Sequence, residues 1–188
     1  GKGATVTYAE KHYGEGEGTG EKILNPVTQI YLEEDAVFNL DTAQIGGVDS
    51  TVRKTEVTLA ENAKLNVMEK LMTHDRQTAV SDMTVELNGA GSTARIVSRS
   101  VAKGTSVQTF HPIAVGNALC HAHVQCDSII MDQAQISSIP EINARNIDAQ
   151  IIHEAAIGRI NNDQILKLRT FGLTEEEAEA VIIEDFLA

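Results

Sequence analysis

Tryptophan is absent from this 188-residue chain, and aromatic residues together make up 4% of it. An aromatic core is therefore excluded, and the interior must come from the aliphatic part of a 42% hydrophobic fraction: Ile, Val, Leu and Ala. Sugar-binding enzymes usually display aromatic platforms, and almost none are available here. Basic residues are also short, 15 Lys and Arg against 27 Asp and Glu, for a formal net charge of −12. Phosphate backbones and anionic lipid surfaces need Lys/Arg clusters, so neither nucleic acid nor membrane is an expected partner. The two cysteines, Cys120 and Cys126, form no CxxC pair. No secretory signal or long apolar run is visible, so the expectation is a cytoplasmic protein, where disulfides are rare. The sequence opens Gly1-Lys2-Gly3 with no initiator Met, which leads us to expect that N-terminal sequence is missing.

What is present is a repeating strand pattern. The run Gly14-Glu15-Gly16-Glu17-Gly18-Thr19-Gly20 reads as a flexible loop, since glycine is the residue most costly to order. It has no following Lys-Ser/Thr and no helix pattern, so it is not a phosphate loop. Ala4 to Tyr8 reads as a short strand. From Val27 onward, strand, small polar turn and strand recur: Leu32 before Glu33-Glu34-Asp35-Ala36, Leu59 before Ala60-Glu61-Asn62-Ala63, and Leu87 before Asn88-Gly89-Ala90-Gly91. These leucines lie 27 and 28 positions apart. Period-two alternation within a unit of that length indicates a coiled β-solenoid, in which residues one period apart stack on neighbouring rungs. An antiparallel sandwich also has evenly spaced strands and stays open on this pattern alone. From about Ala155 the period turns helical. Asn161 or Asn162 caps a first helix carrying Ile165, Leu166 and Leu168 and ending near Gly172, and Thr174 with Glu177 forms a capping box for a second. The expected apolar stripe of that second helix is Ala178, Val181, Ile182 and Phe186. The expected division is a β-helix core over 1–154 and a C-terminal helical segment over 155–188.

Three residues carry candidate chemistry. Cys126 precedes His153 and Glu154 by 27 and 28 positions, close to the repeat, so a thiol on one rung meets an imidazole or a carboxylate on another. All three are iron ligands, thiolate being the one preferred by iron–sulfur clusters. In an extended segment His153 and Glu154 point to opposite faces, so alternation lets only one of them face Cys126. The alternative for Cys126 is a small buried hydrophobe. His121 and His123 share a face with Cys120 turned away, a pattern equally suited to metal or to solvent. His12, His74 and His111 are read as lying in loops or the Gly-rich start and receive no role. No third orienting group beside Cys and His marks a nucleophilic enzyme.

The ordered set Arg99-Ser100-Val101-Ala102-Lys103, Cys126-Asp127-Ser128, Pro140-Glu141-Ile142, His153-Glu154-Ala155, Gly158-Arg159-Ile160, Asp163-Gln164 and Gly172-Leu173 resembles the SufB/SufD family, the scaffold subunits of the Suf iron–sulfur cluster assembly system. The resemblance runs from about residue 95 to 188. It implies a right-handed parallel β-helix with a short C-terminal α-helical hairpin, two SufB- or SufD-like subunits (or two copies of this chain) joined through the ends of the β-helix, and C-terminal helices docked on a SufC-type ATPase. It also implies a sulfur-donor protein and a transient iron–sulfur cluster. By the same resemblance Cys126 matches the cysteine that holds the nascent cluster, Glu154 its partner carboxylate, and His153 the functional histidine of the SufD branch. A scaffold rather than an enzyme is the expected role. A β-helix carbohydrate-active enzyme and a purely structural solenoid are the alternatives.

Overall fold

The computed structural model describes residues 1–14 and 19–188. The middle of the expected Gly-rich loop, residues 15–18, lies outside them. The described chain carries β1 (Thr5–His12), β2 (Ile23–Leu24), β3 (Val27–Leu32), β4 (Val37–Gln44), β5 (Ser50–Leu59), β6 (Lys64–Thr73), β7 (Thr78–Leu87), β8 (Thr93–Ala102), β9 (Val107–Gly116), β10 (His121–Ile130), β11 (Gln135–Ser138), β12 (Glu141–Ala144) and β13 (Gln150–Gly158). Two helices follow, α1 (Asn162–Thr170) and α2 (Glu175–Leu187).

Among the described residues, no strand pairs with the strand that follows it. The first sheet runs β1-β4-β6-β8-β10-β13 and the second β11-β9-β7-β5-β2, with β3 also on β5 and β12 also on β9. Every pairing is parallel. The chain therefore alternates between two sheets and returns to each after one full coil, which makes a β-helix and excludes the antiparallel sandwich. Beyond the first coil, where β1 and β4 are 32 positions apart, side chains one coil apart are 27 to 29 positions apart, as in the stacked hydrogen bonds Asn66–Asn39, Ser100–Ser128 and Asn117–Asn88. Leu32 pairs in register with Leu59, and Leu59 with Leu87. All three face inward, 8%, 0% and 0% exposed.

Six of the described turns keep the coil tight by placing one residue each in the left-handed region. On one edge these are Asp35, Asn62 and Gly91, and on the other Asp75, Gly104 and Asp132, all at φ between 53° and 72°. Only glycine or a short polar side chain adopts that conformation at low cost. The turns also stack: Asp35 N donates to Glu61 O, Asn62 N to Ala90 O, and Gly91 N to Leu119 O.

The interior is divided along its length. Next to the Asp35–Asn62–Gly91 edge it is aliphatic, with Leu59, Leu65, Leu87, Ile96 and Val124 buried. Toward the opposite edge the inward residues become polar: Thr73, Ser81, Ser100, Ser106 and Gln108 are all buried. They survive burial by bonding one another, Gln108 Nε2 donating to Thr73 Oγ1 and to the Val101 carbonyl, and Ser81 Oγ to Glu69 Oε1.

Three regions differ from the sequence reading. Strand β13 extends to Gly158, past the expected change at Ala155, because the ladder with β10 continues through Ile157 and Gly158. His111 lies in β9 rather than a loop. It is followed by Pro112, which a central strand normally excludes for want of an N–H. The even residues of β9 turn their peptide groups toward β11 and β12, since Ile139 N donates to Phe110 O and Arg145 N to Gly116 O. Pro112 thus faces the break between β11 and β12, where Pro140 stands, and no ladder bond is lost.

The third region is the helical hairpin. Its caps are as read: Asn161 accepts from Asp163 N, and Thr174 and Glu177 form a complete capping box. The buried face of α2, however, is Ala178, Ile183 and Leu187, with Phe186 packed partly against it, while Val181 is exposed. The face is set by its landing site: α2 lies on the outer surface of the first sheet, over Val101, Met72 and Ile129. Lys70 donates to the Ala188 carbonyl oxygen and Arg99 to that of Phe186. The sheet thereby supplies the positive charge that the last turn of α2 lacks. Helix α1 buries no residue.

Replacing Leu59 with Ala removes a fully buried side chain from the centre of this stack. We expect a loss of about 3 kcal/mol, read from urea unfolding. A loss below about 1 kcal/mol would contradict the stacked interior.

Candidate functional site

Cys126 sits on β10 among inward neighbours Ala122, Val124 and Ser128, and is 3% exposed. Its ladder partners are Ser98 on β8 and Ala155 on β13. The coil between β10 and β13 is thus 29 residues long, two more than the Cys126–His153 separation of 27. Two is one full alternation, so His153 faces inward with Cys126 and is paired in register with Val124. Its ring reaches across, and Nε2 lies 3.3 Å from Cys126 Sγ.

Glu154 falls on the other parity. It pairs in register with Gln125 and projects outward, where Oε2 lies 3.4 Å from His123 Nε2, with 64% of the Glu154 side chain exposed. The structure therefore brings Cys126 and His153 together inside and sets Glu154 beside His123 outside, separated by the thickness of one strand. His121 lies on the same outer face, and Cys120 is buried in the aliphatic interior. The remaining histidines pair elsewhere: His12 Nδ1 with Arg53, His74 with Asp75, and His111 with Asp82 and Glu141.

The thiol lies where the aliphatic interior meets the polar one. It shares a small internal cavity of about 10 Å³ with Glu69, Ser81, Ser98, Ser100, Gln108, Ser128 and Ser138. Glu69, 4% exposed, accepts from Ser81 Oγ at 2.7 Å and Ser98 Oγ at 3.1 Å. Reading the sequence for metal-ligand types passed over this carboxylate. Its signal was available: Glu69 occupies an inward position of β6 between Val67 and Leu71. Burial pushes the Cys126 thiol above the ordinary range; the Ser138 hydroxyl pulls it back, and the charges of Asp127 and Glu69 push it further up. Burial pushes Cys120 up as well.

A thiol with an imidazole at contact distance is a soft–borderline donor pair for iron, zinc or copper(I). It is not a complete coordination shell. Among the described residues, no group of three or more His, Cys, Asp and Glu is placed to hold one metal ion. Also among them, no helix is long and apolar enough to cross a membrane.

Comparison with known proteins places this chain in a family. The chain matches the family described as SUF system FeS cluster assembly, SufBD core domain, over residues 1–112 and again over 27–186. It is 28% identical over 192 residues to an iron–sulfur cluster assembly SufBD family protein of Methanocaldococcus jannaschii, covering 100% of this chain and 59% of that protein. A protein of the same description from Pyrococcus horikoshii is 30% identical over 195 residues, with 100% and 57% covered. One from Methanothermobacter thermautotrophicus is 29% identical over 195 residues, with 100% and 45% covered. The chain spans about half the length of the curated relatives it matches.

Both thiols are buried and raised in pKa, so alkylation of the folded protein should be slow. In a Cys120→Ser background, the iodoacetamide rate of Cys126 should keep rising with pH beyond the range where a free cysteine levels off. A rate equal to that of free cysteine at neutral pH would contradict the buried position.

Proposed function

We propose that this chain, which belongs to the SufBD family, is a scaffold on which an iron–sulfur cluster is assembled, and that Cys126 and His153 are the donors it contributes. The observation that carries this reading is the 3.3 Å contact between Cys126 Sγ and His153 Nε2, made across two rungs by residues distant in sequence. As thiolate, Cys126 is the ligand a cluster needs; His153 is positioned to take the thiol proton on cluster formation and to hand it to solvent, and only as the neutral imidazole so regenerated can it ligate. The cluster here is cargo, built and passed to a client.

The incompleteness of the donor set supports assembly across two subunits. Cys126 and His153 lie near the end of the coil, β13 being the last strand of the first sheet and β11 the last of the second. That end exposes Ile139 between β11 and β12, and Ile142, Ile152 and Ile157 on the edge strands β12 and β13, whose outer backbone groups can pair with another chain. A second SufB- or SufD-like subunit, or a second copy of this chain, docked there supplies the remaining ligands. Glu154 with His123 forms a pair on the outer face, within reach of the same partner.

The helical hairpin is our proposed docking site for a SufC-type ATPase. α2 is fastened to the sheet through Ile183 and Leu187, which leaves the opposite side of the hairpin, Leu166, Phe171 and Val181, exposed. Glu175, Glu176 and Glu177 rim that surface at the start of α2. An apolar centre with an acidic rim fits a partner with a basic edge.

Two experiments test these assignments. Anaerobic reconstitution with iron, sulfide and the cognate subunits should give cluster absorbance with the unaltered chain and none with Cys126→Ser, at unchanged thermal stability. Normal cluster build-up in Cys126→Ser refutes the site. Separately, Leu166→Asp with Val181→Asp should abolish capture of the cognate ATPase without unfolding the coil, and undiminished capture refutes the docking surface.

A further inference from the structure

The lumen side of the thiol holds groups that the cluster role has not used. Ser138 is the last residue of β11, and its hydroxyl is buried with no hydrogen-bond partner among the described residues. Gln108 is 2% exposed, and its Oε1 is likewise without a partner, its Nε2 being spent on Thr73 Oγ1 and the Val101 carbonyl. Both side chains line the cavity that Cys126 lines. An unpaired hydroxyl donor and an unpaired amide acceptor around one small space are costly unless something joins them. The cavity, about 10 Å³, has room for about one water, which needs two to four polar partners.

The position of Ser138 is not free to drift. The chain is pinned immediately after it by Ile139 N donating to Phe110 O. It then reaches Pro140, which ends the strand opposite Pro112. The break between β11 and β12 thus fixes the Ser138 side chain at the mouth of the polar interior, with Cys126 on the facing sheet.

We infer that Ser138 is a positioning residue for Cys126: its hydroxyl donates to one buried water inside the coil, and that water donates in turn to the Cys126 sulfur and to Gln108 Oε1. The sulfur is then held from two sides, by Ser138 within and by the His153 ring at the rim. A metal-bound thiolate so held keeps one orientation toward the open end and is less readily displaced. Hydrogen bonds from outer groups to a ligating sulfur have this effect, and their loss weakens metal affinity by about 10-fold or more. The inference rests on Cys126 being a ligand, but not on the identity of the cargo.

Cobalt(II), added anaerobically to the chain without sulfide, is the probe, because its thiolate charge-transfer band reports bonding to sulfur. The unaltered chain should show the band and Cys126→Ser should not. Ser138→Ala should bind cobalt about 10-fold more weakly with a displaced band, at unchanged melting temperature. Ser138→Thr, which keeps the hydroxyl, should restore both affinity and band position. Unchanged affinity and band in Ser138→Ala overturn the inference. So does a Thr variant as weak as the Ala variant, which would mean that packing and not the hydroxyl matters, and so does absence of the band in the unaltered chain. If the cobalt responses are as expected but cluster reconstitution fails, the cluster role falls and the positioning of Cys126 by Ser138 stands.

Discussion

The parallel ladder between β10 and β13 decides which side chains meet. In a parallel sheet the register fixes facing as well as neighbourhood, because side chains alternate strictly between the two surfaces. A coil of 29 residues puts residues 27 positions apart on the same surface and residues 28 apart on opposite ones. His153 and Glu154 are sequence neighbours with similar claims to the thiol, yet the ladder admits one to the interior and sends the other out. Shortening or lengthening the connection between these strands by one residue would exchange them. The turn chemistry and inward aliphatic stack of earlier rungs serve this end by holding the ladder in register.

The interior adds a second constraint. A coil this narrow can be filled with aliphatic side chains alone, and one edge of it is. Keeping serines, glutamines and a carboxylate along the other edge carries a desolvation cost that hydrogen bonds only partly offset. That cost is concentrated around Cys126: Glu69, Ser98, Ser138 and Gln108 all line its cavity, and two of them have atoms left unpaired. Structural demand alone does not account for the concentration, since the stack at Leu32, Leu59 and Leu87 shows what the same fold does when only packing matters.

Much of this was readable in the sequence, and the parts that were not share a cause. The leucine spacing, the short polar turns and the two helix caps are local or periodic signals, and each matched the structure. So did the expectation that alternation lets only one of His153 and Glu154 face Cys126, although which one required the coil length to the residue. The buried face of α2 was misread because amphipathicity is weak in a helix that is apolar on two sides; Val101 beneath it, rather than its own pattern, selects Ile183 and Leu187. Ser138 and Gln108 left no motif, because serine and glutamine in alternating strands read as solvent-facing, while Glu69 could be placed inward by its parity with Val67 and Leu71. Only the closing of the coil turns Ser138 and Gln108 inward.

The central claim is that Cys126 and His153 share the interior while Glu154 does not, and a crosslink tests it directly. In a Cys120→Ser background, His153→Cys and Glu154→Cys each create one new thiol to pair with Cys126. Under mild oxidation, followed by proteolysis and mass spectrometry, the account predicts an intrachain 126–153 disulfide in the first variant and none in the second. A 126–154 disulfide forming as readily, or no bond in His153→Cys, would contradict it.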